Sequence, residues 1–192
     1  MAVVSVSSIV IYKSFYMEPG PTHIEEGDNS QTILDKLAVS GANALLEVLD
    51  KLQNDTLVLT PQNEEKATFC SKITTEMSKI DWNTKNAFEI KNLVRGLNPI
   101  MGTYSFIGGK KVKFWRVQVL SNEVLQETLK DTEYSLDCNP GTIIYANEKV
   151  GLFIKAKDAV VSVLEIQGEN AKRMNVKDFL RGNKLQKGEI FE

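Results

Sequence analysis

From Thr103 onward the apolar residues recur at every second position, and this change of period constrains the fold more than any other feature. Thr103–Ile107 and Lys111–Leu120 read as strands, because side chains alternate between the two faces of an extended chain. Gly108-Gly109-Lys110 joins them as a hairpin, glycine supplying the positive φ that a tight loop requires. Val112 and Phe114 share one face of the second strand, and Trp115, Val117 and Val119 share the other. The apolar set switches faces, which predicts a bulge or a barrel-type bend. Thr142–Tyr145, Val150–Ala156 and Val160–Gln167 add three strands, with Asn147-Glu148-Lys149 and Lys157-Asp158 as turns. Five short antiparallel strands in about sixty residues predict a small barrel.

Upstream the period is helical. Ile33, Leu34, Leu37, Gly41, Leu45, Val48 and Leu52 predict a helix over 30–53, capped by Ser30 and ended by Asn54-Asp55. A second helix fits 84–96, with Thr84 or Asn83 as cap, Ala87, Ile90, Leu93, Val94 and Leu97 inward, and Pro99 as the stop. The polar stretch 55–80, with Thr60-Pro61-Gln62, reads as a linker anchored by Phe69 and Ile73. Residues 121–139 read as an acidic surface insertion. Near the end Asn175 caps a short helix, Val176–Arg181, and Gly182 occupies the position where helices favour a left-handed residue.

The N-terminal run Met1–Ile11 has no basic residue before it and no cleavage site after it, so a buried strand is expected there and not a signal peptide. No stretch approaches the ~20 apolar residues that span a bilayer. Cys70 and Cys138 lie far apart with no second Cys or His beside either, which suits free thiols in a cytoplasmic protein better than a disulfide or zinc site. The net charge of −2 divides into −6 over residues 1–81 and +4 over 82–192. Charge of opposite sign in two parts suggests two units, the basic one suited to a polyanion.

His23 is the single histidine. It could act as a general base beside Glu25 or Glu26, but no nucleophile is placed near it, so an exposed residue on an acidic loop is the expectation. Glu25, Glu26 and Asp28 lack the loop that a metal site needs and read as solvated charge. Gly108-Gly109 joins two strands and is no phosphate loop. The basic segment 172–187 stands out: Lys172, Arg173, Lys177, Arg181, Lys184 and Lys187 face one acid, Asp178. Such a patch suits RNA phosphates, releasing counterions and weakening with salt. Arg95, Lys110, Lys111, Lys113 and Arg116 could extend it along the barrel. Trp82, Phe114 and Trp115 could stack bases, but packing in the core is the expectation for all three.

Ile80-Asp81-Trp82, Arg95 through Pro99, Gly102-Thr103-Tyr104 and Phe114-Trp115 occur in an order that resembles the C-terminal domain of methionyl-tRNA formyltransferases. Thr60-Pro61-Gln62 with Lys66–Phe69 resembles the family's linker, and Pro140-Gly141-Thr142-Ile143 the middle of its barrel. Lys172-Arg173-Met174, Asp178-Phe179-Leu180 and Gly182-Asn183 resemble its end. The resemblance implies an α+β chain: 1–22 unassigned, 23–59 a remnant of the α/β formyltransferase domain, 60–81 linker, and 82–192 an OB-like tRNA-binding barrel with flanking helices. The family reaction moves a formyl group from 10-formyltetrahydrofolate to the amino group of methionyl-tRNA. Its Ser-Leu-Leu-Pro and Asp-Thr-Gly segments are absent from this sequence. The resemblance therefore implies a truncated chain with no catalytic residues, no bound cofactor or metal, and no formyl transfer of its own. It implies initiator methionyl-tRNA as partner, a monomer, and Lys172, Arg173, Lys177, Arg181, Lys184, Arg95, Lys113 and Arg116 as its contacts. A stand-alone RNA-binding module and a fragment of a sugar-nucleotide formyltransferase are the rival readings. Helix 30–53, lacking most of a domain to pack on, would leave an aggregation-prone N-terminal third.

Overall fold

Asn29, and not Ser30, starts the long helix. Its side chain accepts from the Thr32 backbone N–H while Thr32 Oγ1 accepts from the Asn29 N–H, a reciprocal cap that removes two unpaired donors. A computed structural model describes residues 3–4, 9–12, 15–17, 22–61, 65 and 71–192, and divides the chain into two units, Met1–Lys72 and Ile73–Glu192. Phe69, Cys70 and the Lys66–Phe69 stretch lie outside the described residues.

In the first unit, strands are short: β1 (Val3–Val4), β2 (Ile9–Tyr12), β3 (Phe15–Met17) and β4 (Thr22–His23) precede helix α1 (Ser30–Gln53), and β5 (Thr60–Pro61) follows it. The N-terminal apolar run thus divides between two strands. β1 pairs with β4, and β2-β3-β5 form a small antiparallel sheet, so the chain at Thr60–Pro61 is paired backbone. Asn54 ends α1 as expected. Only Ala44 and Val48 of α1 are fully buried, with Ile33, Leu37 and Gly41 half-buried beside them. Leu34, Val39, Leu45, Leu46, Leu49 and Leu52 are exposed, so the apolar stripe is wider than the buried face.

The second unit opens with a 3-10 turn, Glu76–Ser78, and α2 (Ala87–Leu97). Ile73 is 55% exposed and anchors nothing, whereas Ile80 and Trp82 are buried. The α2 cap is Asn86, with Glu89 completing a capping box, and neither Thr84 nor Asn83 serves. Asp81 holds the preceding turn instead, accepting from the backbone N–H groups of Asn83 and Thr84 and from Thr84 Oγ1. Asp158, from a distant turn, accepts from the first helical N–H, that of Ala87, at 2.8 Å.

After the cis Asn98–Pro99 turn come β6 (Thr103–Ile107) and β7 (Lys110–Leu120). Gly108 and Gly109 both have positive φ, the requirement of a two-residue hairpin. α3 (Asn122–Thr128) follows, then β8 (Ile143–Asn147), β9 (Gly151–Lys155), β10 (Val160–Gln167), β11 (Met174–Asn175) and α4 (Val176–Gly182). The antiparallel order is β6-β7-β10-β9-β8, with β11 on the far end of β10.

This path is open, which corrects the expectation of a closed OB-like barrel. Among the described residues no strand joins β6 to β8. The irregular tail 188–192 lies between them. Glu192 and Phe106 exchange both backbone hydrogen bonds, while the Phe191 N–H donates to Gly141 O and the Ile143 N–H to Glu189 O. Phe191 enters the core between Phe114 and Trp82. The alternating pattern specifies strands but not which neighbour fills the last gap, and here an unpatterned segment fills it.

A main core gathers Ile80, Trp82, Ile90, Val94, Phe114, Ile154, Val161 and Phe179. A second core on the other face gathers Leu120, Leu125, Leu129, Ile144, Phe153 and Val160. The stretch 121–139 is therefore more than a surface insertion, since Leu125 of α3 and Leu129 cover that face. This explains why Leu152, Phe153 and Ile154 are all apolar: a strand buried on both faces loses its alternation. Asn175 caps α4 as expected, but Gly182 does not take positive φ, and Asn183 is the C-cap.

Candidate nucleic-acid interface

Two bulges set the geometry of the basic face. Val163 pairs with Val117 and Ile166 with Phe114, but Leu164 and Trp115 have no opposite partner. The bulges let Phe114 and Val117 both point inward, fulfilling the expected change of face, and put Trp115 outside the core. Core packing holds for Trp82, whose Nε1 donates to Ser105 Oγ, and for Phe114, but not for Trp115. The Trp115 ring lies against Gly102, where a Cβ would come within 2.9 Å of it, and φ of 68° also favours glycine.

Trp115 organises three of the expected contact residues. Arg173 Cζ stands 5.0 Å and Lys113 Nζ 5.5 Å from its ring centroid. Trp115 Nε1 donates to Gln167 Oε1 at 3.0 Å, and its carbonyl accepts from Asn98 Nδ2 at 2.9 Å. Arg173 donates to Asn98 Oδ1 and pairs with the Glu165 carboxylate, which also takes Arg116 at 3.3 Å. Lys113 Nζ donates to Met101 O at 3.3 Å. Lys113, Arg116 and Arg173 are thus brought together, with Glu165 offsetting part of the positive charge.

The remaining cations stand elsewhere. Arg95 Nε donates to Asn92 Oδ1 along α2, and Arg181 pairs with Asp178 along α4. Lys187 donates to Glu133 O. Lys172, Lys177 and Lys184 are exposed, and their ammonium groups have neither a hydrogen bond nor an ion pair among the described residues, so they are available to an anion. Lys184 also lines an open cleft of about 580 Å³ with Lys110, Glu169 and Glu189.

Sequence reasoning passed over the outer face of β6. Tyr104 stands opposite Lys113 and Phe106 opposite Lys111, so all four share the side away from the core. Lys111 Nζ lies 3.8 Å from the Tyr104 centroid, and Lys79 Nζ 5.7 Å from that of Phe106. The two rings meet edge to face at 5.7 Å. Tyr-Ser-Phe opposite Lys-Val-Lys carried this signal, because alternation puts like members of each triplet on one face.

His23 is exposed at the end of β4. Asp28 serves the start of α1: it accepts from Lys36 Nζ, the Glu25 N–H and Thr32 Oγ1. The Lys36 ammonium first, and then the Glu25 N–H, hold its carboxyl well below the ordinary 3.8, at about 2. Among the described residues no His, Cys, Asp and Glu side chains gather in a group that could hold a metal ion, and no helix is long and apolar enough to cross a membrane.

Residues 72–184 match the model of the formyl transferase C-terminal domain. The chain is 36% identical over 169 residues to the methionyl-tRNA formyltransferase of Caldanaerobacter subterraneus subsp. tengcongensis, covering 88% of this chain and 50% of that protein. It is 36% identical over 155 residues to the one from Ruminiclostridium cellulolyticum, covering 81% and 46%. The chain spans about half the length of these relatives. In fold it is similar to crystal structures of HypX from Aquifex aeolicus. A multiply substituted variant superposes with a TM-score of 0.59 at 16% identity, over 92% of this chain and 30% of that one. The tetrahydrofolic acid complex superposes with a TM-score of 0.56 at 16% identity, over 86% and 27%. The matched domain accounts for most of the second unit, with its mixed helices and antiparallel sheet. The chain belongs to the formyl transferase family, as a bearer of its C-terminal domain.

Proposed function

We propose that this chain serves methionyl-tRNA formylation in translation initiation by holding tRNA and does not itself transfer the formyl group. The observation that carries the reading is the set of lysines with unpartnered ammonium groups, Lys172, Lys177 and Lys184, on a unit of net positive charge whose relatives are methionyl-tRNA formyltransferases. Phosphate contacts of this kind position an RNA and carry little sequence information. Arg173, Arg116 and Lys113, gathered around Trp115 and Glu165, and Arg95 on α2 and Arg181 on α4 would add further phosphate contacts.

The folate cosubstrate of the family reaction does not fit the residues present. The single histidine is exposed, Asp28 is committed to Lys36 and the start of α1, and the family's folate segment is absent from the sequence.

The test is binding of the chain to initiator tRNA at two salt concentrations. Neutralising Lys172, Lys177 and Lys184 together should lower the slope of log affinity against log salt by about 2–3, since each phosphate contact contributes roughly 0.7–0.9. An unchanged slope, or tRNA binding that ignores salt, would refute the reading. Formylation of methionyl-tRNA by the chain alone would refute its second half.

A further inference from the structure

We infer that the outer face of the β6–β7 hairpin is a platform for unpaired RNA nucleotides, with Tyr104, Phe106 and Trp115 stacking bases and Lys79, Lys111 and Lys113 receiving the phosphates between them. The ligand class rests on the RNA-handling reading above. The side chains invoked are other than the unpartnered lysines Lys172, Lys177 and Lys184.

Geometry comes first. Register puts Phe106 with Lys111 and Tyr104 with Lys113 as direct opposites, and Trp115 follows two residues beyond Lys113. A row of rings on β6, Tyr104 and Phe106, therefore faces a row of lysines on β7, Lys111 and Lys113, with Trp115 continuing the second row. Each step of two residues advances about 6.6–6.8 Å, a length that one extended nucleotide spans. The three rings are half-buried, each with part of its surface open. A fourth cation, Lys110, is exposed at the hairpin turn and unpaired among the described residues.

A cation within about 6 Å of a ring centroid is attracted to the negative face of the ring. Here four such cations fall on this one face: Lys79 on Phe106, Lys111 on Tyr104, and Lys113 and Arg173 on Trp115. A pattern that served only to stabilise the strands would not need its rings in the open. Lysines lying over exposed rings are held near the places where phosphates of a stacked strand would run, and they can move aside for bases. Beside the rows, Lys111 and Lys113 wall a notch of about 160 Å³ with Gln167, Gly168, Glu169 and Asn170. Glu169 is the acid within it, facing a ribose hydroxyl more readily than a phosphate.

Shape decides between unpaired and duplex RNA. Bases offer their faces to aromatic rings only when splayed from a helix. A duplex would meet the lysines and leave Tyr104 and Phe106 idle. Unpaired nucleotides use both kinds of side chain, as single-strand-binding surfaces do.

The test uses the whole chain and its own fluorescence. Trp82 is 2% exposed, so a change in tryptophan emission on binding reports Trp115. A short oligouridylate should quench that emission, and a blunt RNA duplex of equal length should quench it far less. Tyr104→Leu and Phe106→Leu should each weaken oligouridylate binding roughly ten-fold. Lys111→Gln with Lys113→Gln should lower the salt slope by about 1.4; these two side chains lie outside the core, so this variant tests the platform even if a ring variant fails to fold. Lys149→Gln, on the β8–β9 turn, is the charge control. Equal quenching by the duplex, or full binding by the ring and lysine variants, overturns the platform. If initiator tRNA binds and oligouridylate does not, the platform falls and the tRNA reading stands. If neither binds, both fall.

Discussion

Gly141 is the residue on which the closure of the second unit turns. Its φ is 86°, and a Cβ there would fall on the carbonyl oxygen of Phe191. Gly141→Ala should cost roughly 2–4 kcal/mol, from left-handed strain together with the clash. A urea midpoint that does not move would contradict this. Asp28 gives a prediction in pH. Its folded pKa of about 2 lies below the ordinary 3.8, so its contribution to the start of α1 is complete above 3.8 and disappears as pH falls through about 2. Far-UV circular dichroism should record helix lost over that interval, and less of it in Asp28→Asn, whose amide does not titrate. The sequence exposed these residues unevenly. Pro140-Gly141 reads as a turn, but its need for a close approach comes from Phe191, fifty residues on. Asp28 reads as one solvated acid among three, because a partner eight residues away is invisible until helix α1 sets Lys36 beside it.

At the scale of elements, α2 depends on a bond from outside itself. Asp158 accepts from the Ala87 N–H and sets a carboxylate at the positive end of the helix. Asp158→Ala should cost about 1–2 kcal/mol, in the range of a lost N-cap. The change should appear as faster amide exchange at Ala87–Ile90 and as a lower melting temperature. Helix periods, strand alternation and the glycine hairpin were all legible, since each is a local preference repeated over several residues. The caps shifted by a residue or more because Ser, Thr, Asn and Asp compete for the same N–H groups, and only the path of the chain chooses among them. Trp115 was misjudged for a related reason. The change of face predicts a bulge, but its position decides which of two adjacent aromatics points inward, and the partner strand sets that position. The proposed contact residues read in the sequence as a basic segment. Which of them Glu165 or Asp178 already occupies depends on folding.

At the scale of the molecule, the two units differ in how they hold their apolar surface. The second has two filled cores, while α1 in the first carries leucines in the open, Leu46 being 65% exposed. Leu46→Lys should leave the stability of the protein within about 0.5 kcal/mol, as exposed substitutions do, and should raise the concentration at which it begins to self-associate in light scattering. The tail 188–192 has a consequence in time. A ribosome releases β6 through β10 well before it releases Phe191, so through that interval both edges of the sheet present unpaired backbone and the core lacks one of its rings. Assembly of the second unit can finish only after synthesis has passed Glu192. A stop codon just before Phe191 would therefore give an aggregating nascent chain, recovered in the insoluble fraction, and not a marginally shorter soluble protein.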